Sequence, residues 1–281
     1  MQMIESLDAL GDRYDALICD VWGVIHNGVR IYPGAATALQ RARRRGALVL
    51  LVSNVPKPNG PIPGQLDRIG FPRDAWDAII TSGDAIRAEL AKRAPGPMYK
   101  IGPPHDHALW DGLGLEFTDI DSARFIGISG LNRDGVETPA DYAGVLAGAR
   151  ARDLDLLCAN PDIVVRVGDD LIWCAGAVAR EYEALGGRVI MAGKPYPPIY
   201  QLAFDAIARR GVLDKARMLA IGDGIITDVK GANSEGLDCL FIASGMHAEA
   251  LKSAGQLDIA KVEAALSLEG VHAKYVMAEL A

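Results

Sequence analysis

Four groups of polar residues follow short apolar runs in this chain, and they carry residue types suited to chemistry on a charged substrate. Residues directly after parallel strands lie at the sheet edge where α/β proteins bind ligands. The groups are Asp20-Val21-Trp22 after Ala16–Cys19, Ser53-Asn54 after Ala47–Val52, Gly193-Lys194-Pro195 after Val189–Ala192, and Gly222-Asp223 through Asp228 after Met218–Ile221.

Each group, taken singly, has a structural explanation beside the chemical one. Asp20 could be a nucleophile, a metal ligand or a helix cap. Ser53 and Asn54 could donate to phosphoryl oxygens or form a polar turn, and Lys194 could meet an anion or lie at the surface. The last group offers two carboxylates of the kind that Mg²⁺ binds, although Asp228 could instead be the N-cap of the next helix.

Apolar runs and helical stretches alternate along both ends of the chain, and this rhythm predicts an α/β fold with a doubly wound parallel sheet. The run Ala47–Val52 is continuously apolar, as expected of a strand buried on both faces. We expect the strands of this sheet at Ala16–Cys19, Ala47–Val52, Ala78–Ile80, Arg188–Ala192, Met218–Ile221 and Cys239–Ala243.

The middle of the chain predicts a second domain inserted into the first. Pro95-Gly96-Pro97 and Gly186-Gly187 punctuate its two ends. Asp169-Asp170 predicts a hairpin turn between two short strands. We therefore expect a discontinuous core domain, residues 1–96 and 187–281, and an α+β cap domain, residues 97–186.

Composition narrows the possible partners. The 281 residues carry a net charge of −7, which argues against a nucleic-acid binder. The arginines at positions 41, 43, 44 and 45 read as the solvated end of a helix. No apolar run reaches the roughly 18 residues of a membrane span, and four cysteines without a C-x-x-C pair favour free thiols. We therefore expect a cytoplasmic protein that does not bind membranes or nucleic acid.

The order of the four groups resembles the four motifs of the haloacid dehalogenase (HAD) superfamily, from about Asp15 to Gly245. The likeness is closest to class IIA, the NagD-like phosphatases, whose cap lies between the second and third motifs. Three strings resemble the same class: Ala159-Asn160-Pro161-Asp162, Ala175-Gly176-Ala177 and Gly193-Lys194-Pro195.

The resemblance implies a Mg²⁺-dependent phosphohydrolase with a HAD Rossmann-like core. Asp20 would be the nucleophile, forming an aspartyl-phosphate that divides one hard displacement into two easier ones. Asp20 and Asp223 would bind Mg²⁺ together with the backbone carbonyl of Trp22. Asp228 would orient Lys194 or a metal-bound water.

The same resemblance implies how a small phosphorylated metabolite would be held. Ser53 and Lys194 would bind phosphoryl oxygens as charge redistributes. Asn54, Asn160 and Asp162 would contact the substrate, although the two cap residues could instead form a polar turn. Caps of this class often dimerise, so we expect a possible homodimer.

The first motif departs from the superfamily pattern at Trp22. HAD phosphatases carry Asp-x-Asp there, and the second aspartate serves as general acid and base. An indole cannot accept a proton from water. His26 could replace the acid, or could be a packing residue. Three hypotheses follow: a weak phosphohydrolase, a HAD hydrolase of a non-phosphate substrate, and a non-catalytic sensor of a phosphorylated metabolite.

Overall fold

Two compact units make up the chain. The computed structural model describes residues 1–167, 170–212, 214–244, 250–253 and 255–281. The first unit comprises Met1–Ser53, Ile62–Ile80 and Tyr200–Ala281, and the second comprises Asn54–Pro61 and Thr81–Ile199. The second unit is wider than the cap expected at residues 97–186, whose insertion as a cap stays a prediction.

Strands and helices alternate along the described residues. The strands are β1 (Gln2–Met3), β2 (Ala16–Cys19), β3 (Leu48–Ser53), β4 (Ala78–Thr81), β5 (Met98–Ile101), β6 (Phe125–Ile128), β7 (Asp155–Cys158), β8 (Val164–Val167), β9 (Asp170–Trp173), β10 (Arg188–Met191), β11 (Met218–Gly222), β12 (Asp238–Ile242), β13 (Lys252–Ser253), β14 (Gln256–Leu257) and β15 (Tyr275–Met277). The helices are α1 (Pro33–Arg44), α2 (Ile62–Arg68), α3 (Ser82–Ala91), α4 (Ala143–Ala151), α5 (Ala175–Ala184), α6 (Pro197–Ala208), α7 (Lys230–Glu235) and α8 (Ile259–Leu268).

The first unit is built on a seven-stranded sheet in the order β1-β15-β12-β11-β2-β3-β4. The pairs β1–β15, β15–β12, β12–β11, β11–β2 and β2–β3 are all parallel. From β2 the chain proceeds outward to β3 and β4, and later returns to build β11 and β12 on the other side of β2. The predicted doubly wound α/β fold is confirmed, and β2 and β11 flank the point where the strand order reverses.

The second unit has its own parallel sheet, in the order β10-β7-β6-β5. β10 pairs in register with β7, from Arg188 opposite Asp155 to Met191 opposite Cys158. The Arg188 guanidinium also forms an ion pair with the Asp155 carboxylate. The expectation that this strand continues the first sheet is therefore wrong, because its cross-strand partners belong to the second unit.

A separate antiparallel ribbon joins β8 and β9, with Val164 opposite Trp173 and Val167 opposite Asp170. The strands agree with the expected hairpin. Asp169, half of the dipeptide expected to form the turn, lies outside the described residues.

The state of the four cysteines agrees with the expectation of free thiols. All four cysteines are buried and free, and burial raises the pKa of Cys158 to about 12. Among the helices of the described segments, none combines the length and the apolarity that crossing a bilayer would require.

Three of the four arginines at the end of α1 are paired with acidic side chains. Arg41 and Arg45 both reach Asp8. Arg43 binds the carboxylate of Asp77, with one nitrogen–oxygen distance of 2.5 Å. The same carboxylate accepts the Val49 N–H at 2.9 Å. Asp77 therefore links α1, β3 and the segment that enters β4.

We expect Asp77→Asn to lower the free energy of unfolding at pH 7 by about 1–3 kcal/mol, because it weakens charge-assisted hydrogen bonds. Burial raises the pKa of Asp77, but Arg43 and the Val49 N–H outweigh burial and leave it below its usual value. A depressed carboxyl pKa stabilises the protein above the unfolded value near 4. The difference from wild type should therefore shrink as the pH falls below about 4.

Urea denaturation at pH 7 and near pH 3 measures this effect. Asp67→Asn is the matched control, because Asp67 pairs with Arg73 in an exposed ion pair, which is worth only about 0–1 kcal/mol. Equal losses in the two variants at pH 7 would contradict the role given to Asp77.

Candidate active site

Three buried carboxylates meet beside the point where the strand order of the first sheet reverses. Asp20 directly follows β2, and its N–H donates to the carbonyl of Ile221 in β11 at 2.8 Å. Asp223 directly follows β11. The carboxylates of Asp20, Asp223 and Asp228 each offer an oxygen within 4.8 Å of the others. The structure thus brings together three acidic residues that the sequence singled out.

A π-helical turn, Ile225–Val229, places the third carboxylate. The N–H groups of Asp228 and Val229 both donate to the Gly224 carbonyl, at 2.9 and 3.0 Å. The Asp228 carboxylate turns back to accept the Gly224 N–H at 3.0 Å. Asp228 therefore lies inside the turn and is not the N-cap of α7, which begins at Lys230. Such turns often occur at functional sites.

Glycines make room for these carboxylates. Gly23 has a φ of +83°, and a Cβ added there would overlap the carboxylate of Asp223. A Cβ at Gly222 would overlap the side chain of Asp228. Glycine alone combines the left-handed backbone with this close approach at position 23.

The donor set of this cluster suits a hard divalent cation. Divalent cations such as Mg²⁺ and Ca²⁺ take carboxylate oxygens, and three buried carboxylates at this spacing repel one another unless positive charge is present. Asp20, Asp223 and Asp228 are each less than a tenth exposed. These residues could therefore hold a metal ion.

Trp22 and His26 form an aromatic pair in the loop after β2. Their ring centroids lie 5.0 Å apart, with an interplanar angle of 73°. His26 is buried, which lowers its pKa to about 4. Its Nδ1 accepts the Gly28 N–H at 2.9 Å, so the neutral ring carries its proton on Nε2. Of the two roles considered for His26, these surroundings favour packing over acid catalysis.

Tyr32 is a titratable group that sequence reasoning missed. Burial and the charge of Asp223 raise the pKa of its phenol above the usual value. The residue lies twelve positions beyond Asp20 and follows no apolar run, so no motif signalled it. Its phenol therefore holds its proton at neutral pH.

The remaining site residues divide between the two units. Ser53 ends β3 in the first unit and is buried. Asn54, Lys194, Asn160 and Asp162 belong to the second unit. In that unit the Asn54 side chain makes two hydrogen bonds to the backbone of Lys194. It accepts the Lys194 N–H at 2.7 Å and donates to the Lys194 carbonyl at 3.1 Å. The same amide donates to the Asp162 carboxylate at 2.8 Å.

These contacts favour a positioning role for Asn54 over the expected contact with substrate. Asn160 accepts the Asp162 N–H at 3.0 Å, so the polar turn considered for this string is present. A Cβ at Gly193 would overlap Asn54 and Pro161. Asp162, Asn54 and Gly193 therefore fix the backbone that presents the buried Lys194.

Two family models and a solved structure that match this chain belong to one family. Residues 17–116 match the model of haloacid dehalogenase-like hydrolases, and residues 191–267 match a HAD-hydrolase-like model. A crystal structure of a haloacid dehalogenase-like family hydrolase from Brucella suis is 45% identical, with a TM-score of 0.88 over 99% of this chain and 100% of that chain.

Two curated relatives are more distant. Chronophin from Rattus norvegicus is 28% identical over 90% of this chain and 84% of its own length. The ribonucleotide monophosphatase NagD from Escherichia coli is 26% identical over 82% of this chain and 88% of its own length.

The geometry predicts that Gly23→Ala destroys the cation site. The new Cβ would displace the Asp223 carboxylate, so stabilisation by Mg²⁺ should disappear. Melting temperatures with and without Mg²⁺ measure this, because a ligand of the folded state raises its stability.

Gly70→Ala is the matched control, because Gly70 has a φ of +80° and no atom within 4 Å of an added Cβ. Both variants should lose about 1–2 kcal/mol to the left-handed backbone. The control should keep the response to Mg²⁺. A wild-type response in Gly23→Ala would contradict the packing described here.

Proposed function

Because the chain belongs to the haloacid dehalogenase-like hydrolases, in the NagD-like class IIA, we propose that it is a Mg²⁺-dependent phosphohydrolase of a small phosphorylated metabolite, working through an aspartyl-phosphate on Asp20. The buried cluster of Asp20, Asp223 and Asp228 carries the proposal. The NagD relative is a monophosphatase, which supports the same reaction class.

The proposal assigns each residue of the cluster a part. Asp20 and Asp223 would hold the metal with the backbone carbonyl of Trp22. Bound Mg²⁺ would neutralise charge on the carboxylate and phosphoryl oxygens. A carboxylate oxygen of Asp20 would attack phosphorus. Asp228, whose carboxylate accepts the Gly224 N–H, would keep the loop that carries Asp223 in place.

The phosphoryl oxygens would be bound by Ser53 and Lys194, as the resemblance implies. Lys194 is buried, and its backbone is fixed from both sides by Asn54. Because this backbone is fixed before an anion binds, less conformational freedom is lost on binding. Asn54 and Asp162 would act through Lys194 rather than touch the substrate, and Asn160 would hold the turn that carries Asp162.

A second hypothesis is favoured by Trp22. Neither the indole nor the buried His26 suits proton transfer at neutral pH, so turnover would be weak, or the protein would be a sensor that binds a phosphorylated metabolite without releasing product. A non-phosphate substrate is less favoured, because a carboxylate cluster suited to a cation serves phosphoryl chemistry directly.

We expect Mg²⁺-dependent release of p-nitrophenol from p-nitrophenyl phosphate. Asp20→Asn should lower kcat by on the order of 10³-fold or more, because it removes the nucleophile. Asp67→Asn, an aspartate of the same unit outside the cluster, should keep the wild-type rate. EDTA should abolish turnover and excess Mg²⁺ should restore it.

The outcome distinguishes the two functions. Turnover that survives Asp20→Asn would contradict covalent catalysis. A rise in melting temperature with Mg²⁺ and a phosphorylated ligand, but without product, would support the sensor instead.

A further inference from the structure

Trp22 is partly buried, and its indole packs against the loop that follows β2. A Cβ added at Gly28 would lie 2.5 Å from the Cη2 carbon of the indole. The ring of His26 packs against the indole at 5.0 Å between centroids. The Gly23 N–H donates to the His26 carbonyl at 2.8 Å and closes this loop. These contacts hold the indole in place at the first-motif position where HAD phosphatases have their acid–base aspartate.

The same packing fixes the orientation of the His26 imidazole. One ring nitrogen of His26 is hydrogen-bonded to Gly28, and its ring is turned edge to face against Trp22. An indole N–H can donate a hydrogen bond but cannot transfer its proton. Position 22 therefore supplies no group that could protonate an oxygen leaving phosphorus.

The lack of an acid at position 22 affects how the leaving group departs in the first chemical step. As an Asp20 oxygen forms its bond to phosphorus, the bond from phosphorus to the leaving oxygen breaks, and its electron pair stays on that oxygen. Without a proton donor at position 22 the leaving oxygen departs as an anion. Its own stability then governs the barrier.

We propose that this site acts on acyl phosphates and other phosphorylated compounds whose leaving group departs as a stable anion, and that Trp22 is the residue that sets this preference. The proposal rests on the phosphohydrolase function above. An acyl phosphate releases a carboxylate, which needs no proton, whereas an alkyl phosphate would release an alkoxide.

The second step is the same for every substrate. Water attacks the phosphorus of the aspartyl-phosphate, the bond to Asp20 breaks, and the water proton passes to a phosphoryl oxygen, so that inorganic phosphate is released. No base stands at position 22 to draw that proton away. Dephosphorylation should therefore be slow, and acyl phosphates should show a burst of about one product per site followed by slow turnover.

The test is a series of substrates with graded leaving groups, measured with Mg²⁺ and the full chain. The series comprises acetyl phosphate, aryl phosphates of decreasing phenol acidity, and glycerol 3-phosphate. In wild type, kcat/KM should fall steeply as the leaving group becomes less acidic. In Trp22→Asp the fall should be shallower. The kcat/KM for acetyl phosphate divided by the kcat/KM for glycerol 3-phosphate should therefore be about 10²–10⁴-fold smaller than in wild type.

Trp22→Phe is the matched control. It keeps an aromatic ring and the backbone carbonyl but adds no carboxylate, so its dependence on the leaving group should stay as steep as in wild type. A shallower dependence in Trp22→Phe would show that the indole itself assists departure, and would overturn the proposal.

The wild-type series is decisive even if Trp22→Asp does not fold. A flat dependence across acyl, aryl and alkyl phosphates, with turnover that requires Asp20, would overturn the leaving-group preference and leave the phosphohydrolase function standing. No turnover and no burst with any member, acetyl phosphate included, would overturn the phosphohydrolase function and this inference with it.

Discussion

Mutual repulsion of three buried carboxylates is the constraint on which the site depends. Asp20, Asp223 and Asp228 bring oxygens within 4.8 Å of one another. Two unit charges about 4 Å apart repel by roughly 4 kcal/mol at an effective dielectric constant of about 20, a large part of a typical folding stability of about 5–15 kcal/mol. A cation held by these carboxylates would offset the repulsion, and a bound phosphoryl group would benefit from the same cation.

Local features of the backbone follow from holding charges so close together. Gly23 and Gly222 lack the Cβ atoms that would push the carboxylates apart. The π-helical turn Ile225–Val229 brings the Asp228 carboxylate back to the Gly224 N–H. Such features lower the stability of an isolated loop, and the parallel strands β2 and β11 on which the loops stand offset that cost.

The sequence predicts the carboxylate cluster better than it predicts the surroundings of Lys194. Asp20 and Asp223 follow buried strands, and the carboxyl ends of parallel strands share one edge of a sheet. The run Arg188–Met191 has the composition of a strand, but an apolar run does not indicate which strand it pairs with. The sequence therefore does not predict its pairing with β7. The hydrogen bonds between Asn54 and the Lys194 backbone join residues 140 positions apart, and no local sequence pattern specifies such a contact.

Direct detection of phosphate on Asp20 tests the central claim. The protein is mixed with Mg²⁺ and acetyl phosphate, quenched in acid, and analysed as peptides by mass spectrometry, beside Asp20→Asn. The proposed mechanism predicts a phosphate-sized mass increase on the wild-type peptide that contains Asp20, because slow dephosphorylation lets the intermediate accumulate, and none on the variant. Release of inorganic phosphate by wild type without any phosphorylated Asp20 would contradict the mechanism.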